Sequence, residues 1–449
     1  KDDKATTLND LLKTYAAKKV GSKAGKYEAA AKYELANTYL QLGNESSALL
    51  YYKKVVAEHP ESSYNGRALL QCGLIQSKNK DYDGALVVLD KVLASYPKTT
   101  EAFEAINAMK DIYRSKGDMD SYETKLKNIP YASVSSASLD TANYNVAFDY
   151  YDKGDCDNAI KNFTKYVQKY PDGIFLTDAV YYKADCDFKN KNYDAALNGY
   201  NYVIEKSHTQ FTELSLLRAS WINYNNKNYQ VALPQYTRLA ETAEYPANSN
   251  EGRMGEMRCN QELKNYEAAA ESAKKVLILE KISNEVKAEA HVIIGKAAIE
   301  KASYDEAIIE FSSVPALTRS EKSAEALYHI AYVLYLKSQY KDSQKKVFEL
   351  INHDPSYDYW MGKGFILLSD NYVGQNDLFN AKFALEKLIE KSKSEELLTI
   401  AKEKLNKINE TDNAVKMEEE RKREKNKEMQ IQFPATNPKD SLLYKTEKQ

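Results

Sequence analysis

The chain has 449 residues, 43% hydrophobic and 29% charged, with only 16 Gly and 10 Pro. So few backbone breakers over that length exclude a turn-rich β protein. Its 63 basic and 65 acidic residues leave a net charge of -2, without the basic excess that bulk attraction to nucleic acid requires.

Taken in chain order, residues 1–28 read as an N-terminal helix or a truncated preceding repeat. The chain opens Lys1-Asp2-Asp3 without Met, so preceding sequence is expected, and membrane attachment through it stays open. No run of about 18 apolar residues predicts a membrane span. Length alone suggests about three domains of roughly 150 residues each. Internal repetition from residue 29 replaces that expectation. Asn44-Glu45-Ser46-Ser47-Ala48-Leu49, Asp81-Tyr82-Asp83-Gly84-Ala85-Leu86 and Asn192-Tyr193-Asp194-Ala195-Ala196-Leu197 share one phrase. Its small residue marks a register: Ala48, Ala85, Tyr122, Ala159, Ala196, Ala232, Ala269, Ala307, Ser343 and Ala381, spaced by 36–38 residues. Tyr122 breaks the residue type and keeps the spacing.

Each unit holds two helical patterns. A stretch such as 142–152 precedes a short polar turn, here Lys153-Gly154-Asp155. A second helix then runs from about the marker to a terminator. Pro60, Pro97, Pro171 and Pro355 each sit 12 residues after their markers, where proline cannot continue a helix. Ten such units span 29–395. Residues 396–428 read as a capping helix with Leu397, Leu398, Ile400, Ala401 and Leu405 facing the last repeat, then a charged extension with Glu418/Lys422 and Glu419/Arg423 at helical spacing. Residues 429–449, with Pro434 and Pro438, read as a flexible tail.

The pattern resembles the tetratricopeptide repeat (TPR). The first-helix element stands as Leu35-Ala36…Tyr39 and Val146-Ala147…Tyr150, with weaker forms at Cys72-Gly73, Ile294-Gly295 and Ile330-Ala331. The second-helix element stands as Ala48…Tyr52, Ala159…Phe163, Ala196…Tyr200, Ala232…Tyr236 and Ala307…Phe311. Small residues would sit where two helices approach, with the aromatic filling the gap one turn on. Repeat seven departs, with Met257 where Gly or Ala is expected. The resemblance implies an all-α TPR superhelical solenoid of about ten helix-turn-helix repeats with capping helices. Inter-repeat phrases such as Glu58-His59-Pro60, Ser95-Tyr96-Pro97 and Lys169-Tyr170-Pro171 resemble bacterial envelope TPR proteins of the TolA-binding and outer-membrane-assembly lipoprotein type. That implies a non-enzymatic, protein-binding scaffold, periplasmic or attached to the outer membrane. Two alternatives stay open: docking or self-assembly through the convex face and C-terminal extension, or a regulatory part of a longer chain.

Candidate chemistry is sparse. Asn79-Lys80-Asp81-Tyr82-Asp83-Gly84…Asp90 mimics a calcium loop, but it falls on the turn that recurs in every repeat and reads as turn and capping chemistry. His59, His208, His291, His329 and His353 are scattered. No phosphate-binding, dinucleotide, zinc-protease or nucleophile-elbow motif is present, so no metal, cofactor or catalytic residue is expected. Cys156 and Cys186 lie one repeat apart and could approach; two separate half-buried thiols are the simpler expectation.

Known TPR superhelices bind peptides on the inner face of their first helices. Counting back from the markers puts Tyr144, Phe148, Tyr151, Tyr181, Phe188, Trp221 and Tyr224 on that face in repeats four to six, and Tyr328, Tyr332 and Tyr335 in repeat nine. These form a candidate aromatic lane for a protein or peptide partner, unless some fill gaps between adjacent helices. The carboxylate clamp of chaperone-binding TPR domains is not expected, since Tyr33 stands where its Lys would be, although Asn37 fits.

Overall fold

A computed structural model of the chain describes residues 2–17, 21–132, 135–206 and 209–432. Among them are 22 helices and no strand. α1 (Asp2–Ala17) stands before ten consecutive helix pairs. The first five are α2 (Gly21–Gln41) with α3 (Glu45–Glu58), α4 (Asn65–Lys78) with α5 (Tyr82–Ser95), α6 (Thr100–Lys116) with α7 (Met119–Lys127), α8 (Ser136–Asp152) with α9 (Cys156–Lys169), and α10 (Leu176–Lys189) with α11 (Tyr193–Glu205). The next five are α12 (Thr212–Asn225) with α13 (Tyr229–Thr242), α14 (Pro246–Glu262) with α15 (Tyr266–Leu277), α16 (Asn284–Glu300) with α17 (Tyr304–Leu317), α18 (Glu321–Leu336) with α19 (Tyr340–Ile351), and α20 (Asp358–Gly374) with α21 (Leu378–Lys391). α22 (Glu395–Gln432) follows. The chain divides into two compact units, Lys1–Ser215 and Leu216–Gln449, and each is a stack of such hairpins. This is the all-α TPR solenoid architecture.

One turn builds every hairpin. Five residues before each marker, the backbone enters the left-handed region, with φ of 54° to 79°: Gly43, Lys80, Gly117, Gly154, Lys191, Lys227, Lys264, Ala302, Ser338 and Asn376. The next residue sends its N–H back to the carbonyl five residues earlier, from Asn44 to Tyr39 through to Asp377 to Tyr372, at 2.8–2.9 Å in all ten. That is the Schellman closure of a helix C-terminus. The same residue is the N-cap of the second helix. Asn44, Asp81, Asp118, Asp155 and Asp377 accept a backbone N–H three residues on, satisfying an otherwise orphan donor. The stop of one helix and the start of the next therefore share two residues.

Pairing within a hairpin follows size. The residue 12 before the marker meets the residue four after it. A Cβ at Gly73 would come within 2.7 Å of Leu89, and one at Gly295 within 2.7 Å of Phe311. Repeat seven inverts the pair: Met257 is fully buried in one core with the equally buried Ala273, so the large side chain has changed helices. In repeat three, Tyr122 lies on a second helix of only nine residues; it is buried, and its hydroxyl donates to the Ile106 carbonyl at 3.4 Å.

Three details differ from the sequence expectation. Second helices begin about three residues ahead of their markers. α19 ends at Ile351, four residues short of Pro355, so that proline does not terminate it. Cys156 and Cys186 are disulfide-bonded, with Cα atoms 5.1 Å apart, rather than separate thiols. The first turn of α9 brings Cys156 against the third turn of α10, a juxtaposition that the unit spacing permits and only the packing determines. α22 carries Leu397 and Ala401 into the core and runs without a break through Gln432. The remainder of the expected tail, 433–449, lies outside the described residues.

Candidate partner-binding surfaces

In the first unit, α8 and α10 lie side by side and bring four rings into one ladder. Phe148 meets Tyr151 at 5.9 Å and Tyr182 at 5.1 Å, and Tyr151 meets Tyr182 at 4.6 Å between centroids. Tyr144 joins at 5.9 Å from Phe148. All but Tyr144 are half-buried. One end of the ladder is polar. Tyr151 donates to Asp185 Oδ2 at 2.8 Å, Lys189 pairs with Asp185 at 2.7 Å, and the Lys189 ammonium lies 4.5 Å from the centre of the Tyr151 ring. Burial and then the Asp185 hydrogen bond push the Tyr151 hydroxyl well above the usual phenol range, so it stays a donor. Burial also raises the Asp178 carboxyl on the same helix.

The other lane residues fall into different places. Tyr144 and Tyr181 are both 8% exposed. Each stacks on a phenylalanine from the loop leading into the next first helix, Phe175 at 4.4 Å and Phe211 at 4.2 Å. They fill gaps between neighbouring helices. Phe188 packs on Tyr193 and Tyr200 of α11. In the second unit, Trp221 is 42% exposed, and Tyr224 packs on Tyr229 at 5.3 Å. Tyr328 lies 6.2 Å from Tyr332 and 5.5 Å from Trp360, while Tyr335 turns to Tyr340. Sequence counting missed Tyr182, Asp185, Trp360 and Lys363. The Tyr181-Tyr182 doublet was the available signal: adjacent helical residues point about 100° apart, so one fills the gap and the other meets the ladder.

The remaining polar clusters have internal explanations. Glu28, Glu58 and His59 hold ligand atoms within 4.8 Å of one another. Lys32 sits among them, 2.6 Å from Glu28 and 3.2 Å from His59, and also bonded to Glu58, so an ammonium already occupies the place of a cation. In the calcium-like segment, Asp81 caps Gly84, Asp83 pairs with Lys116 at 2.8 Å and Asp90 with Lys125 at 2.7 Å. These carboxylates face different neighbours and do not converge. Asn37 accepts from the buried Tyr52 hydroxyl, and Tyr33 packs on Tyr52 and Tyr64. His291 meets Glu310, and His353 meets Ser323 and the Pro355 carbonyl; His208 lies outside the described residues. No described helix is long and apolar enough to cross a membrane.

The tetratricopeptide-repeat family profile matches residues 30–62, 67–99 and 141–173, which are repeats one, two and four of the register above. The chain carries tetratricopeptide repeats. Repeats of this family generally form protein-binding scaffolds rather than enzymes. Among curated proteins, it is similar to the outer membrane protein assembly factor BamD of Pasteurella multocida, at 27% identity over 33% of this chain and 50% of that protein. BamD of Xylella fastidiosa matches at 29% identity over 14% of this chain and 22% of that protein. The chain thus spans half or less of the curated relatives it matches. Among solved structures, the C-terminal part of a TPR protein from Cytophaga hutchinsonii aligns at 13% identity over 57% of this chain and 98% of that one, with a TM-score of 0.42. A TPR protein from Parabacteroides merdae aligns at 16% identity over 58% of this chain and 98% of that one, with a TM-score of 0.35.

Proposed function

We propose that the chain is a non-enzymatic scaffold that binds another protein along the inner face of its first helices, within a bacterial cell-envelope complex. The observation that carries this reading is the half-buried ladder of Phe148, Tyr151 and Tyr182, with the Asp185–Lys189 pair at its end. Rigid aromatic faces bury partner area at low entropic cost, and a polar end fixes register. Trp221 and Tyr224 in the second unit offer rings of the same kind. Two facts favour the envelope: the partial similarity to BamD, and the Cys156–Cys186 disulfide, since such bonds persist in oxidising compartments.

The test is affinity capture from a bacterial envelope extract, followed by titration of the captured partner. Phe148→Ala with Tyr182→Ala, and separately Trp221→Ala with Tyr224→Ala, should each weaken binding by about tenfold or more. Unchanged affinity in both pairs would remove the inner-face reading. A second reading, docking through the C-terminal extension, is favoured by Val415 and Met417, 47% and 62% exposed on an otherwise charged helix. Deleting 413–449 should abolish assembly under that reading and leave it intact under the first.

A further inference from the structure

A separate feature of the second unit lies beside the repeat-nine end of the aromatic lane, where the end of α19, α20, α21 and the loop after α21 meet. They line an open cavity of about 500 Å³, within the roughly 300–1,000 Å³ range of ligand pockets. Its floor is apolar: Ile351, Met361, Phe365 and Leu388. Gly362 lies at its base, where a Cβ would stand 2.6 Å from a Leu397 methyl. The glycine therefore lets α22 pack closely against α20 beside the cavity.

The rim is rich in donors and poor in acceptors. Lys391 and Lys393 line it, and neither forms an ion pair among the described residues. Lys387 also lines it, paired with Glu390 at 2.7 Å. Ser392 and Ser394 already accept backbone N–H groups, so their hydroxyl protons are available to an incoming acceptor. Beyond Tyr359, the Lys363 ammonium rests over the rings of Tyr328, Tyr359 and Trp360 at 5.3–5.9 Å, also without a carboxylate among the described residues. Opposing charge comes from Asp358 on the rim and from Glu396, which acts on Tyr359. The balance is positive around an apolar hole.

We propose that this cavity takes one bulky apolar side chain from a partner protein segment whose flanking residues are acidic. The apolar floor buries the side chain, and the lysines and serine hydroxyls receive the carboxylates, which gives both register and electrostatic steering.

The probe is a fluorescein-labelled peptide, Asp-Asp-Glu-Phe-Glu-Asp-Asp, titrated by anisotropy against the full chain. Saturable binding is expected, weakened about tenfold or more when Phe is replaced by Ser in the peptide. Lys391→Glu with Lys393→Glu, both exposed and remote from the core, should weaken binding by a similar factor. That variant should in turn prefer the charge-swapped peptide Lys-Lys-Arg-Phe-Arg-Lys-Lys. Met361→Trp, which fills the floor, should block binding with the helical circular dichroism retained. Absence of saturable binding, equal affinity for the Ser peptide, or indifference to the lysine reversal would overturn the proposal. So would lysine-dependent binding to phosphatidylglycerol vesicles with the peptide left free, which would make the site a lipid contact. None of these results depends on Phe148, Tyr182, Trp221 or Tyr224, so this site and the aromatic lane fail separately.

Discussion

Met257 shows what a single position in a repeat can hide. As a break in the Gly/Ala register it looks like a defect; beside Ala273 it is one half of a size exchange across the hairpin. Ala273→Phe alone should overpack this core and cost about 1–3 kcal/mol. Met257→Ala alone should open a cavity and cost about 2–5 kcal/mol. The double substitution Met257→Ala with Ala273→Phe restores the arrangement of repeat four, Ala147 with Phe163, so chemical denaturation should find it more stable than the sum of the singles predicts. His329 is a second residue whose surroundings decide its behaviour. It stacks on Phe311 at 5.0 Å, and neither ring nitrogen has a hydrogen-bond partner among the described residues. Burial, then Lys296 and Lys363, push its pKa down to about 3, with Glu325 opposing. A depressed folded-state pKa means the unfolded chain takes the proton first, so this contribution is complete above about pH 6.5 and is lost as pH falls towards 3. Melting temperature measured from neutral to acid pH should fall less steeply for His329→Phe. At neutral pH that variant should be more stable by about 1 kcal/mol, because it removes buried unpaired nitrogens.

At the scale of the element, the repeated turn explains why the helices stop where they do. Gly43, Gly117 and Gly154 announce a left-handed residue in the sequence; Lys80, Lys191, Lys227 and Lys264 do not, because nothing in lysine favours that conformation. What holds them there is the closing bond of the first helix, made by the N–H of the next residue, joined after Lys80 by the Asp81 cap on Gly84. Replacing any of these lysines with glycine should relieve the backbone and raise stability by about 0.5–1 kcal/mol, read by denaturant midpoint, with the sum additive across distant repeats. The same turn accounts for the calcium-like segment. Its alternating carboxylates are a cap and two inter-repeat lysine partners, and the alternation arises because the turn and the helix start both want acidic residues. Helix ends were less legible. Pro60, Pro97 and Pro171 lie just past their helices, yet α19 has ended before Pro355 is reached.

Across the whole molecule, the fold was legible because the period near 37 residues repeats ten times, and each repeat buries its apolar face against its neighbours. The binding lane was less so. Inner-face counting cannot distinguish a ring that fills a gap from one that faces a partner. Tyr144 and Tyr181 became gap-fillers because Phe175 and Phe211 recur in register to stack on them. The disulfide is a property of this scale too. It ties repeat four to repeat five, and in a chain of nearest-neighbour contacts its loss should stay local. Reduction, or Cys156→Ser, should cost the first unit about 3–4 kcal/mol. Hydrogen exchange should quicken in α9 and α10 while the helices of the second unit keep their protection. The left-handed turn residues have one more consequence. Nine of the ten are exposed, and their conformation is set by backbone bonds rather than by their side chains. Cys72 and Cys259 are buried, with burial pushing both thiols up to about 12, so they resist alkylation at neutral pH. A cysteine placed at Lys80 or Lys191, or at Lys227 or Ser338, would be the reactive one. Each unit thus carries a graduated row of labelling points, one per repeat, from which probe pairs could measure how it flexes when a partner arrives.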